Sequence, residues 1–354
     1  MMKTGLTFDD ILILPKYSNI KSREECDVAS HFFCNRIIPV PIISSPMKAI
    51  TEVEMSKAMI SLGGVACLHR FEEHQTILKW IEELSKFFGD KEKKKGLLVA
   101  SIGIKDEFQE VDKAIEYLQH SIVDGILVDV ANGYNHHVGL IVHKLKNEMR
   151  QKKINDRKFI IAGNVCTREG ARYLIDQGAD AIRVGIGGSG VCSTRIMTGI
   201  GSPNVSAILE CREVCEESDV TFFIDGGLRT PADIAKSLAL GCDAVMLGSI
   251  FAGCKETPGS ILRVGDWPRE KLIKRYYGSA SEENKGFNSS YIEGKSFTTE
   301  YKGKIKRIIE DILDSVRSSM SYVGARTLVE FRNNAEFIQV SSASVQEGQT
   351  HFIE

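Results

Sequence analysis

The sequence predicts a single (β/α)8 barrel, and three features carry that prediction. Short apolar runs rich in β-branched residues recur eight times, each followed by a stretch whose apolar residues fall at three- and four-residue spacings. Glycines and polar residues gather just after the C-terminal ends of those runs, where such a barrel collects its ligands. At 354 residues, 43% hydrophobic and 26% charged, the chain can bury one large core, and no composition break marks a second domain.

Taken in order, strands are expected at Val40 to Ser44, Gly64 to Leu68, Gly96 to Ser101, Gly125 to Asp129, Lys158 to Ala162, Ala179 to Val184, Thr221 to Asp225 and Asp243 to Leu247. Amphipathic helices are expected at Glu52 to Leu62, Glu73 to Phe87, Glu107 to Leu118, Asn135 to Met149, Arg168 to Gln177, Asn204 to Glu216 and Pro231 to Leu240. Thr51, Thr167 and Thr230 stand where they can cap free amides, and Pro231 follows the last of these at a favoured first-turn position. Residues 256–304 lack sustained periodicity and read as a lid or flap after strand eight. Closing helices are expected at Ile305 to Val316 and near Arg326 to Phe331, with 340–354 as a C-terminal arm suited to assembly.

A formal net charge of -2 gives no electrostatic reason to expect nucleic acid or a membrane surface as partner. The start shows no signal pattern and no apolar run approaches membrane-spanning length, so a soluble cytoplasmic protein is expected. Nine cysteines without Cys-x-x-Cys spacing argue against a disulfide framework and a zinc site. Most of them read as small buried hydrophobes. Cys192 differs, because it sits in Gly185-Ile186-Gly187-Gly188-Ser189-Gly190-Val191-Cys192-Ser193-Thr194-Arg195, where glycines permit close ligand approach and a hydroxyl and a cation follow.

On a barrel, phosphate commonly sits on the loops after strands seven and eight. Those strands end in Asp225-Gly226-Gly227 and Gly248-Ser249: bare amides and a hydroxyl for phosphate, and a carboxylate for ribose hydroxyls. Strand six ends at Gly185, which brings Cys192 over the same mouth as a candidate covalent nucleophile. Strand four ends in Asp129-Val130-Ala131-Asn132-Gly133-Tyr134, strand five in Gly163-Asn164, and strand two in His69-Arg70.

With these residues in place, the chain resembles the IMP dehydrogenase and GMP reductase family almost from end to end. The likeness runs through Leu6 to Asp10, Ser44-Ser45-Pro46-Met47, Asp129 to Tyr134, Ala162 to Val165, the cysteine loop, Asp225 to Gly227 and Arg317 to Ala325. It implies a barrel forming homotetramers, a purine nucleoside monophosphate substrate, a nicotinamide cofactor (NADPH or NADH), and a cysteine adduct at carbon 2 of the purine. Dehydrogenases of the family usually insert paired regulatory domains between strands two and three, and there is no room for them between Leu68 and Gly96. They also use a flap arginine to activate water, and no arginine occurs between Ser281 and Lys304.

The resemblance therefore implies an NADPH-dependent GMP reductase. Cys192 would be the nucleophile, and Thr194 and Glu293 would manage the proton transfers that release ammonia. Ser45, Met47, Asn164, Asp225, Gly226, Gly227, Gly248, Ser249, Tyr277, Gly278, Ser279 and Ala280 would receive the nucleotide. Arg70, Asp129, Asn132 and Gly133 would face the cofactor, joined by Ser318 and Tyr322 from a neighbouring subunit. A potassium ion would use the carbonyls of Gly187, Ser189 and Cys192. The chain departs from the family at Lys48, where an aspartate is usual, at the order Gly188-Ser189-Gly190, at Ser279-Ala280, and in a shortened flap. Open alternatives are a compact IMP dehydrogenase, a reductase of a modified or deoxy guanine nucleotide, and a nucleotide-binding sensor without turnover.

Overall fold

A computed structural model describes residues 4–33, 36–89, 93–188, 194–265, 270–277 and 296–348, with the backbone alone at 277, 296, 342, 345 and 346. The chain enters through β1 (Ile11–Ile13) and an antiparallel hairpin of β2 (Ser30–Phe32) and β3 (Arg36–Ile38). Eight parallel strands then close into a barrel: β4 (Ile42–Ser44), β5 (Val65–Leu68), β6 (Leu97–Ile102), β7 (Gly125–Asp129), β8 (Phe159–Val165), β9 (Ala181–Val184), β10 (Thr221–Asp225) and β11 (Ala244–Leu247). The seam is sealed where β11 pairs with β4, Val245 opposite Ile42. Nearly every strand residue is buried, because the barrel interior faces one side of each strand and the helical ring the other.

The expected eight strands are all present, with ends shifted by a few residues. β4 starts at Ile42 rather than Val40 because Pro41 has no N–H for the ladder, although its carbonyl accepts from Val245 N at 3.0 Å. The β2–β3 hairpin was not expected from the sequence. Its Phe32 and Ile38 are buried with Phe159 and Phe223, and Phe32 meets Phe159 edge-on at 5.8 Å. This aromatic packing fills the barrel interior below the mouth.

Thr167 and Thr230 cap their helices, accepting from Gly170 N at 3.1 Å and Asp233 N at 3.2 Å. Thr51 does not cap. Its Oγ1 donates to the buried Ser45 carbonyl at 2.7 Å, which needs a partner just past β4, and Glu52 takes the N-cap position of the helix Val53–Leu62. The first closing helix runs over Ile305–Tyr322, longer than expected, and a short helix, Thr194–Thr198, follows the cysteine loop.

The expectation of a structureless excursion after strand eight is corrected. β12 (Leu262–Val264), β13 (Lys271–Tyr277) and β14 (Ser296–Glu300) form a three-stranded antiparallel sheet. Periodicity failed here because the inward positions of β13 are Lys274 and Tyr276, and a buried lysine breaks the apolar alternation. Lys274 Nζ donates to the carbonyls of Cys254 at 3.1 Å and Thr257 at 2.5 Å, so its charge is bonded although it is buried. β15 (Phe337–Gln339) pairs with β1, tying the two ends of the described chain together. Every described cysteine is free and all but Cys166 are buried.

Candidate active site

The phosphate-type loops come first, because their backbone shape is fixed by the absence of side chains. Gly226 and Gly227 both adopt positive φ, 81° and 76°, which β-carbon-bearing residues resist. A β-carbon on Gly227 would lie 2.8 Å from the Gly188 carbonyl oxygen and would also strike Asn204 Nδ2. The loop after β10 therefore touches the loop after β9 directly. Asn204, at the start of the helix Asn204–Glu217, locks them: its Nδ2 donates to the Gly226 carbonyl at 2.8 Å, while its buried Oδ1 accepts no hydrogen bond among the described residues.

Gly248 follows β11 and faces Met47 Sδ, Ser45 Cβ and the Tyr276 hydroxyl, all within 3.5 Å of where its β-carbon would stand. Ser45 N bonds the Leu247 carbonyl at 3.0 Å, so Ser45, Met47 and Gly248 come together. Tyr276 completes this group, and burial pushes its phenol well above the usual tyrosine range, so it stays neutral. Ser249 is exposed and lines a cavity of about 440 Å³ with Arg229, Pro231, Ile250 and Lys302, next to the helix Ile305–Tyr322.

Asp225 and Asn164 meet: Asn164 Nδ2 donates to Asp225 Oδ2 at 3.0 Å and to the Gly185 carbonyl at 2.7 Å. Between Asp225 and Asp129 lies a residue that sequence reasoning missed. Arg183, on β9, donates through Nη1 to Asp129 Oδ1 at 2.5 Å and through Nε to Asp225 Oδ2 at 3.0 Å. Burial works against its charge, but the carboxylates of Asp225 and Asp129 outweigh that penalty and push the guanidinium further up. The available signal was an arginine inside an otherwise apolar four-residue strand, since a buried cation demands nearby carboxylates.

On the opposite wall, Arg70 Nε meets the Asp129 carbonyl at 3.2 Å and its carboxylate at 3.4 Å, which unites two of the residues expected to face a cofactor. Gly133 is buried, its N–H bonded to the Asn164 carbonyl at 2.6 Å, while Asn132 is exposed and accepts from Tyr134 N. Lys48 pairs with Glu72. Ser318 and Tyr322 lie four residues apart on their helix, Tyr322 exposed, and no hydrogen bond joins them to Asp129 or Arg70 among the described residues.

Arg195 was expected to lend its charge to Cys192. Cys192 lies outside the described residues; the Arg195 guanidinium donates to the Ser202 carbonyl and, at 3.5 Å, to the Ile186 carbonyl, and its stem lies along Gly187 and Gly201, where no side chain stands in the way. Thr194 opens the helix Thr194–Thr198 and is half-buried. Gly187 has φ 76°. Ser189, Cys192, Gly278, Ser279, Ala280 and Glu293 lie outside the described residues, as does the side chain of Tyr277.

The arrangement can grip a phosphate on glycine amides, accept hydroxyls at Asp225, and hold a second ligand near Arg70 and Asp129. The family model described as "IMP dehydrogenase / GMP reductase domain" matches residues 5–351. GMP reductase of Phytophthora infestans is 35% identical over 347 residues, covering 95% of this chain and 91% of the relative. Inosine-5'-monophosphate dehydrogenase of Cryptosporidium parvum is 30% identical over 395 residues, covering 99% and 96%. Among solved structures, a cysteine-to-alanine variant of GMP reductase from Trypanosoma brucei, in complex with guanosine 5'-monophosphate, superposes with a TM-score of 0.88. It is 24% identical, with 100% of this chain and 99% of that one covered, and the likeness supports the barrel fold.

Proposed function

Since the chain belongs to the IMP dehydrogenase / GMP reductase family of oxidoreductases, we propose that it is an NADPH-dependent GMP reductase, acting in the cytoplasm as a homotetramer. The observation that carries the choice of branch is the orientation of Arg275. It is followed by tyrosine, the pairing that dehydrogenases place in the flap, yet it is exposed and alternates with the buried Lys274 and Tyr276; the other Arg-Tyr pair, Arg172-Tyr173, lies on the helix Arg168–Asp176. Arg275 therefore points away from the barrel mouth. No arginine between Ser281 and Lys304 can take its place.

In this reading the nucleotide phosphate is held by the amides of Gly226, Gly227 and Gly248 with the Ser249 hydroxyl, and Asp225 accepts from the ribose. Ser45, Met47, Tyr277, Gly278, Ser279 and Ala280 frame the base. The Cys192 thiolate attacks carbon 2 of GMP and forms a carbon–sulfur bond. With protons managed by Thr194 and Glu293, the carbon–nitrogen bond to the amino group breaks and ammonia leaves. NADPH, when bound near Arg70, Asp129, Asn132 and Gly133, supplies the hydride that carbon 2 receives. The carbon–sulfur bond then breaks, returning the thiolate and giving IMP and NADP⁺. The Arg70–Asp129 pair, with the backbone close at Gly133, fits a ligand rich in hydroxyls and phosphates. Ser318 and Tyr322 would meet the cofactor of a neighbouring subunit, and potassium would sit on the Gly187, Ser189 and Cys192 carbonyls.

Incubation of the purified protein with GMP and NADPH, followed at 340 nm, tests the reading. A GMP-dependent fall in absorbance is expected. A rise with IMP and NAD⁺ instead would make the protein a compact dehydrogenase, and binding without turnover would make it a sensor.

A further inference from the structure

Two acidic side chains stand on different strands of the barrel mouth, Asp129 at the end of β7 and Asp225 at the end of β10, and one arginine reaches both. Arg183 donates through Nη1 to Asp129 Oδ1 at 2.5 Å, and its Nε and Nη2 lie 3.0 and 2.9 Å from Asp225 Oδ2. With Arg183 only 6% exposed, solvent screens neither contact well. Both carboxylates keep an outward oxygen. Among the described residues the bonds to Asp225 all fall on Oδ2, leaving Oδ1 open, and Asp129 Oδ2 has only the 3.4 Å approach of Arg70.

We propose that Arg183 is a positioning residue that couples the nucleotide site to the cofactor site. The inference rests on the reading above, in which Asp225 receives the ribose of GMP and Asp129 faces the cofactor. A cofactor hydroxyl that donates to Asp129 competes with Nη1 for the charge of that carboxylate. The guanidinium then bonds Asp225 more firmly, holding Oδ2 inward and presenting Oδ1 to the ribose. Cofactor binding thus lowers the cost of ordering the nucleotide site, and linkage requires the reverse effect to be equal. The planar fork of arginine makes this bridge possible, whereas the single ammonium of lysine is a point charge that serves one carboxylate at a time.

The full-length protein is titrated with GMP by calorimetry, alone and with saturating NADP⁺, a pair that cannot turn over. NADP⁺ is expected to tighten GMP about fivefold or more, and GMP to tighten NADP⁺ by the same factor. Arg183→Lys should bring both factors close to one. Equal coupling in the wild type and Arg183→Lys, or none in the wild type, overturns the proposal. Should Arg183→Lys not fold, Asp129→Asn titrated with GMP alone decides: with its first partner neutralised, Arg183 should tighten GMP about threefold or more, and an unchanged Kd overturns the proposal. Wild-type protein that binds no GMP at all defeats the nucleotide reading itself, and that result is distinct from binding without coupling.

Discussion

On the wall built from β8 to β11, polar groups are held by backbone and buried bonds: Asn164 on Gly185 and Asp225, Asn204 on Gly226, Arg183 on two carboxylates. On the wall built from β4 to β7, by contrast, the loops are joined by ion pairs that each include a partly exposed side chain, Lys48 with Glu72 and Arg70 with the buried Asp129. Buried, geometrically fixed bonds resist rearrangement, while exposed pairs cost little to break and re-form. The first wall is suited to gripping one ligand in one pose. The second can admit and release a ligand that must leave in every cycle.

The largest expected effect separates grip from chemistry. Cys192→Ala should lower kcat more than about a thousandfold, because removing a nucleophile removes the reaction path rather than one contact to it. GMP should still bind, since the proposed phosphate grip lies on the loops after β10 and β11. Steady-state rates together with calorimetric Kd check both halves, and a variant that retains full activity removes the covalent mechanism.

The rigid wall is tested next by Gly227→Ala. At φ 76°, with the Gly188 carbonyl oxygen 2.8 Å from the new carbon and Asn204 Nδ2 closer still, the loop must move against backbone as well as against a side chain. Loss of about tenfold or more in GMP affinity is expected, corresponding to about 1.4 kcal/mol or more. NADPH affinity measured without nucleotide should change far less, and equal losses at both sites would mean that the walls are not distinct.

How much of this was legible in the sequence depended on what each strand faces. The barrel strands are buried on both sides, so runs such as Phe159-Ile160-Ile161-Ala162 declare themselves, and their order alone brought Asp129, Asn164 and Asp225 to one end. β13 stayed hidden because its inward residues include Lys274, whose burial makes sense only once the carbonyls of Cys254 and Thr257 are seen beneath it. Arg183 was hidden for a related reason, since its two partners lie 54 and 42 residues away in sequence and no local pattern links them. The direction of Arg195 was equally beyond reach, being set by carbonyls on the returning loop at Ser202.

The smallest expected effect belongs to the adaptable wall and is the most informative about its design. Lys48 and Glu72 keep side-chain exposures of 34% and 28%, so water competes for their charges and the pair contributes at most about 1 kcal/mol. Lys48→Ala should therefore shift the KM for NADPH by no more than about fivefold and leave GMP affinity within error. If GMP binding falls instead, the lysine that stands in the usual place of an aspartate acts on the nucleotide rather than at the edge of the cofactor wall. The boundary between the two walls would then run through Met47 rather than between Lys48 and the loop after β5.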